Sequence, residues 1–84
     1  MNILQRNKWA RFQGRVHVTE RIQALNGGLE ERHYHARLVG SHDGWLITDN
    51  VVAKEAGPNG SDVPLPGQKW FRNDTVVHMG RPDA

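Results

Sequence analysis

Two runs of alternating apolar and polar residues flank the tripeptide Asn26-Gly27-Gly28, and this pattern constrains the fold more than any other feature of the sequence. An apolar residue at every second position is typical of a β-strand that has one face in water. Asparagine and glycine tolerate the left-handed backbone angles of tight turns. The two runs therefore predict an antiparallel hairpin. Its apolar positions are Val16, Val18, Ile22 and Ala24 in the first run and Tyr34, Ala36 and Leu38 in the second.

The register of this hairpin follows from the requirement that both strands turn their apolar side chains to the same side. This parity predicts a three-residue loop in which Leu25 faces Leu29, and it directs the odd-numbered side chains from 15 to 37 into solvent. The expected cross-strand pairs are Val16 with Leu38, His17 with Arg37, Val18 with Ala36, Thr19 with His35 and Arg21 with His33.

A second turn is predicted at Ser41-His42-Asp43-Gly44, whose residue types are common in turns. A four-residue loop at this point sets Leu38 against Ile47. It also directs the side chains of Trp45 and Ile47 into the core. After this turn the chain is expected to form a third antiparallel strand.

The reading of residues 49–57 leaves two alternatives. They either continue the third strand to about Val52 and then turn, which the pattern favours, or they form a short helix. Further on, Trp70 lies within an apolar strand pattern and is expected, like Trp45, to be a core residue.

The 84 residues are expected to form one domain, 1–84, because a chain of this length has room for a single small core. We predict an all-β, mainly antiparallel meander that curls into an SH3-like or OB-like barrel or half-barrel, with at most one short helix. The sequence contains no cysteine, which excludes disulfides. The predicted parts are a basic and aromatic N-terminal segment at 1–13, the meander at 14–56, a Gly/Pro loop at 57–68 and a final strand or hairpin at 69–80.

The sequence is expected to belong to a cytoplasmic protein without a membrane partner. No apolar run approaches the length of about 18 residues that a membrane-spanning helix needs. The N-terminus also lacks the apolar core of a signal peptide.

Positive charge is concentrated at the N-terminus, because residues 1–19 contain four basic residues and no Asp or Glu. Aromatic residues interleaved with cations are typical of surfaces that bind single-stranded nucleic acid, where rings stack on bases and cations contact phosphates. Nucleic acid is therefore the first predicted partner. Alternatively, Trp9 and Phe12 plug the open end of the sheet. The candidate nucleic-acid-binding residues are Arg6, Lys8, Trp9, Arg11, Phe12 and Arg15, with Arg21 and Arg37 extending the basic surface.

His33 and His35 lie two residues apart on a predicted strand, a spacing that suits two of three imidazole metal ligands. His17 is diagonal to His35 in the expected register and is the candidate third ligand. That register also sets Arg21 and Arg37 beside these histidines, and two guanidiniums would repel a divalent ion. We therefore expect a hydrated polar surface with no metal or other cofactor, and metal binding is the second alternative function.

Catalysis is not expected. Ser41-His42-Asp43 contains the residue types of a hydrolase triad, but neighbours in a tight turn diverge, whereas a triad converges from separate elements. The predicted function is therefore non-enzymatic binding. The first alternative to nucleic acid is a protein-binding module, an adaptor or inhibitor of a larger protein, which acts through an exposed strand edge or the 57–68 loop. An exposed edge would also allow a homodimer.

Overall fold

The computed structural model describes residue 12 and residues 14–82. These residues form six β-strands and one 3-10 turn at Pro58–Gly60, so the prediction of an all-β, mainly antiparallel domain with at most one short helix is confirmed. Within the same residues, no helix has the length and apolar character needed to cross a membrane. The strands are β1 (Gly14–Gln23), β2 (Leu29–His42), β3 (Trp45–Ala53), β4 (Val63–Leu65), β5 (Lys69–Arg72) and β6 (Val76–Gly80).

The strands form one antiparallel sheet in the order β4-β3-β2-β1-β6, and β5 pairs with β3 beside β4. In the described part of the chain no ladder joins β6 to β4 or β5, so the sheet is a half-barrel and not a closed barrel. β3 ends at Ala53, which agrees with the strand alternative for residues 49–57. The 57–68 segment differs from the predicted loop, because β4 lies within it and pairs with β3.

The first hairpin has the predicted parity, but its register is shifted by two residues. The chain turns at residues 25–27, one residue earlier than expected, because the Ala24 N–H donates to the Gly28 carbonyl (2.8 Å) and Gly27 takes the left-handed position, with φ 88°. A shift of two keeps every side chain on its predicted face. The observed pairs are Val16 with Ala36, His17 with His35, Val18 with Tyr34, Thr19 with His33 and Arg21 with Glu31.

The second turn is shorter than predicted. Asp43 and Gly44 both have positive φ values, 55° and 88°, and connect β2 to β3 as a two-residue turn with His42 opposite Trp45. Positive φ at both central residues is what the twist of a tight hairpin requires, and Asp-Gly supplies it. Leu38 lies opposite Thr48 and not opposite Ile47, because the pairing also shifts by one residue between Leu38 and Gly40.

A bulge at Asn50 reverses the direction of the side chains along β3. Asn50 has a φ of 48°, and the pairing with β2 shifts by one residue across this position. Leu46 and Thr48 therefore point inward before the bulge, while Val51 points inward after it. The prediction that Trp45 and Ile47 point inward is wrong, since both are only half-buried.

The core lies on the concave side of the half-barrel, with Phe71 and Leu46 fully buried at its centre. The Tyr34 ring packs edge-on against Phe71, with a centroid distance of 5.1 Å. Trp70 is adjacent to Phe71 on β5 and must point the other way, which leaves it 43% exposed, so its prediction as a core residue is wrong. The buried apolar residues are Val16, Val18, Tyr34, Ala36, Leu46, Val51, Ala53, Phe71, Val76 and Met79.

Candidate functional site

The predicted basic and aromatic segment lies largely outside the described residues. Phe12 is the described member, and it is half-buried and packs against the core. This contact agrees with the alternative in which Phe12 covers an end of the sheet. Arg6, Lys8, Trp9 and Arg11 lie outside the described residues.

The three predicted arginines of the sheet are exposed, and each has a hydrogen-bond partner. The Arg21 guanidinium donates to the Glu31 carboxylate at 2.7 Å, and this hydrogen bond lowers the pKa of Glu31. Arg37 makes two hydrogen bonds to Asp49, of 2.8 and 2.6 Å, which raise the pKa of Arg37 and lower that of Asp49. Arg15 donates to the backbone carbonyl of Asn50 at 2.8 Å.

Cations and carboxylates are balanced over the rest of the sheet as well. Lys54 contacts Asp62 at 2.6 Å, and Arg72 contacts Asp74 at 3.2 Å. Residues 14–82 contain eight Lys and Arg and eight Asp and Glu, so the formal net charge of +2 arises outside this range. Four of the described cations, those of Arg21, Arg37, Lys54 and Arg72, thus each lie within 3.2 Å of a carboxylate oxygen.

Four histidines form a cluster on the convex face of β1, β2 and β6. His17 lies at its centre, with ring centroids of His33 and His35 at 5.2 Å and of His78 at 6.4 Å. Thr19 lies beneath them, 5% exposed, and its Oγ1 is 3.2 Å from His33 Nδ1. Sequence reasoning found the first three histidines but missed His78, because only the pairing of β6 with β1 brings it there.

The observed register separates the cluster from the arginines that were expected beside it. His35, not Arg37, lies opposite His17, and Arg21 lies opposite Glu31. His17 Nε2 and His33 Nδ1 are 3.0 Å apart and share a hydrogen bond. In the described part of the chain, no three His, Asp or Glu side chains are arranged as ligands of one metal ion.

The environment of the cluster disfavours protonation. Burial lowers the pKa of His17, and His33, His35, His78 and Lys54 lower it further. Burial also lowers the pKa of His35, followed by Lys54 and Arg15, while Asp62 opposes the change. Both imidazoles are therefore neutral to a lower pH than in an unfolded chain.

Acidification is therefore expected to destabilise the fold through His17 and His35. Their folded pKa values lie below 6.5, so the unfolded chain binds more protons below that pH. The stability that they contribute above pH 6.5 is lost as the pH falls through their folded pKa values. Urea denaturation should give a free energy of unfolding that is lower at pH 5.5 than at pH 7.5, by less than about 1 kcal/mol per histidine because both are partly exposed.

His17→Asn should reduce this pH dependence, whereas His42→Asn, at a histidine outside the cluster, should leave it unchanged. Ordinary Asp and Glu side chains titrate near about pH 4, below this range, so carboxylate protonation does not obscure the comparison. If the wild type and His17→Asn show equal pH dependence, the loss of stability in acid does not come from His17.

Five side chains form a second region of the convex face, which we call the tryptophan face. They are His42, Trp45, Ile47, Trp70 and Arg72. Trp45 and Trp70 have ring centroids 6.5 Å apart, and His42 lies 6.5 Å from Trp70. The Arg72 guanidinium lies 5.6 Å from the centre of the Trp45 ring, a cation–π contact.

These side chains come together because β5 pairs with the first half of β3. Ile47 lies opposite Trp70, and Trp45 lies opposite Arg72, so all four share the side opposite Leu46 and Phe71. Beside them is a depression of about 280 Å³, lined by Asp43, Gly44, Trp45, Arg72, Asn73 and Asp74. Sequence reasoning missed this surface because it directed Trp45 and Trp70 into the core.

Ser41 and His42 are consecutive residues on β2, opposite Leu46 and Trp45 respectively. Consecutive strand residues point to opposite faces, so these two side chains do not converge as a nucleophile and its base would.

Comparison of the chain with known protein families, with curated proteins and with solved structures finds no match.

Proposed function

We propose that this chain is a non-enzymatic protein-binding module whose contact surface is the tryptophan face. The observation that carries the proposal is the 43% exposure of Trp70, beside Trp45 and Ile47, on an antiparallel sheet. Tryptophan and arginine are the residue types that most often dominate binding energy at protein interfaces. A partner that covers this face would remove a large apolar surface from water.

The charge balance of the sheet supports a protein partner over nucleic acid. Arg21, Arg37 and Arg72 already have carboxylate partners, and residues 14–82 carry equal numbers of basic and acidic residues. Phosphate binding depends on cations that can exchange their counterions for the nucleic acid. An interface centred on aromatic side chains does not need an excess of positive charge.

An extended segment with apolar residues is the partner chemistry that suits this surface. The depression beside Trp45 lies between the β2–β3 turn and the β5–β6 turn, and its other side chains are polar: Asp43, Arg72, Asn73 and Asp74. The Trp45 and Trp70 rings beside it form the kind of aromatic surface on which extended, proline-containing segments pack, and such segments lose little entropy on binding. The 57–68 segment is a less favourable contact than expected from the sequence, since its β4 strand is engaged with β3.

The test is selection from a display library of random peptides against the wild-type protein, followed by affinity measurements with the selected peptides. Trp70→Ala is expected to weaken their binding at least about tenfold, the effect of losing an interface hot spot. The matched control is Leu25→Ala, which removes an exposed apolar side chain from the β1–β2 loop. Peptides that bind the wild type and Trp70→Ala equally well would contradict the proposal.

Nucleic-acid binding is the second candidate, and a specific observation favours it. The net charge of +2 arises outside residues 14–82, and Arg6, Lys8 and Arg11 flank Trp9 in the N-terminal segment. Fluorescence anisotropy with single-stranded DNA, double-stranded DNA and RNA at about 50 mM salt tests it. Affinity that falls steeply with salt and is lost on removal of residues 1–11 is the expected result. Absence of binding to all three at low salt would eliminate this candidate.

A further inference from the structure

We infer that the four-histidine cluster is an acid-operated latch that releases the C-terminal strand β6 from β1. The cluster joins three strands on one face, with His17 on β1, His33 and His35 on β2, and His78 on β6. While the imidazoles are neutral they pack edge to face and hold the strands together. Positive charge on these imidazoles would place like charges 5.2 to 6.4 Å apart across the same strands.

Protonation also removes a hydrogen bond within the cluster. His17 Nε2 and His33 Nδ1, 3.0 Å apart, can share a hydrogen bond only while one of the two nitrogens lacks a proton. An imidazolium carries protons on both nitrogens, so two imidazoliums cannot make this bond. Attraction between His17 and His33 is thus replaced by repulsion.

The carboxylates nearest the cluster already have cationic partners, so they offset only part of the new charge. Glu31, which interacts with His33, accepts a hydrogen bond from Arg21. Asp62, which interacts with His35, accepts hydrogen bonds from the Lys54 ammonium and from the Glu55 N–H. Arg15 on β1 and Lys54 in the segment after β3 add positive charge beside the cluster.

The strand that responds is β6, because it is the least anchored member of the cluster. Among the described strands it pairs only with β1, over four residue pairs and with a register shift between Thr19 and Glu20. β2, by contrast, is paired on both sides. The apolar anchors of β6 are Val76 and Met79, which are 1% and 4% exposed.

Release of β6 has a consequence for binding. Residues 17–20 of β1 lose their partner strand, and the freed backbone N–H and C=O groups form an edge on which another strand can pair. A drop in pH thus exposes a new strand edge for β-strand addition. This edge, on β1, lies at the opposite end of the strand order from β3 and β5.

The experiment is residue-resolved amide hydrogen exchange by NMR at pH 7.5 and pH 5.5, with protection factors corrected for the intrinsic exchange rate. In the wild type, the protected amides of β6 are expected to lose at least about tenfold in protection on acidification, relative to amides that join β2 to β3. His78→Asn should abolish this selective loss. Its matched control is His42→Asn, at an exposed histidine outside the cluster, which should behave like the wild type.

Any of three results would contradict the proposal that the histidine cluster controls the release of β6. Protection of β6 could be unchanged by acid, it could fall in parallel with that of β2 and β3, or it could fall equally in His78→Asn and the wild type. His78 is exposed, so its replacement is expected to leave the fold intact and the comparison valid. The readout is backbone protection in the absence of any binding partner, so the latch and the proposed function can fail independently.

Discussion

Replacement of Phe71 by alanine is expected to lower the free energy of unfolding by about 3–5 kcal/mol, the range for deleting a buried phenylalanine ring. Phe71 is fully buried, packs against the Tyr34 ring and lies opposite Leu46 at the centre of the core. Domains of this size are stable by only about 5–10 kcal/mol, so the variant should be close to unfolding at room temperature. Urea denaturation followed by tryptophan fluorescence measures the change.

Trp70→Ala is the matched control, since it deletes the adjacent aromatic residue on the same strand. Trp70 points to the convex face and is 43% exposed, so we expect a loss of less than about 1 kcal/mol. A milder core variant, Phe71→Leu, retains most of the side-chain volume and keeps the test informative if Phe71→Ala does not fold. If Trp70→Ala proves more destabilising than Phe71→Ala, the faces of β5 have been assigned the wrong way round.

Replacement of Asn50 by valine is expected to cost about 2 kcal/mol. Asn50 has a φ of 48° at the β3 bulge, a left-handed conformation that asparagine tolerates and that β-branched residues strongly disfavour. Its backbone carbonyl accepts the Arg15 hydrogen bond, which does not depend on the side chain. The free energy of unfolding from urea denaturation is again the measurement.

Asn50→Gly provides the control for backbone conformation, because glycine adopts a positive φ without strain. This variant should lie within about 0.5 kcal/mol of the wild type. Loss of a specific side-chain contact would instead make glycine as destabilising as valine. Equal destabilisation in the two variants would therefore refute the assignment of a strained bulge at this position.

The bulge matters for function because it separates two chemically different regions of the convex face. β2 has 14 residues and contributes to both regions, with His33 and His35 in the histidine cluster and His42 in the tryptophan face. Reversal of the side chains at Asn50 moves Trp45 and Ile47 outward, where Trp70 joins them. Without that reversal the convex face would lack its aromatic region, and the proposed interface would not exist.

The sequence alone determined the all-β class and the faces of the first two strands. Alternation with a period of two is a property of neighbouring residues, so it places Val18 and Tyr34 inward and His17 and His35 outward whatever the register. The prediction of these faces is confirmed even though each cross-strand pair was displaced by two residues. The side-chain orientations predicted from the local pattern were therefore correct, although the predicted cross-strand pairs were not.

Only the tertiary structure decided which residues meet. Trp45 with Ile47 and Leu46 with Thr48 are competing sets of inward side chains in β3, and local hydropathy favours the tryptophan set. The structure selects the other set, because the two-residue turn at Asp43, the register shift between Leu38 and Gly40 and the bulge at Asn50 align β3 with β2 and β5. Likewise, His78 joins the histidine cluster through hydrogen bonds between β6 and β1, whose pairing residues lie about 60 positions apart in the chain. Such long-range pairing depends on how the whole sheet packs, and no local pattern encodes it.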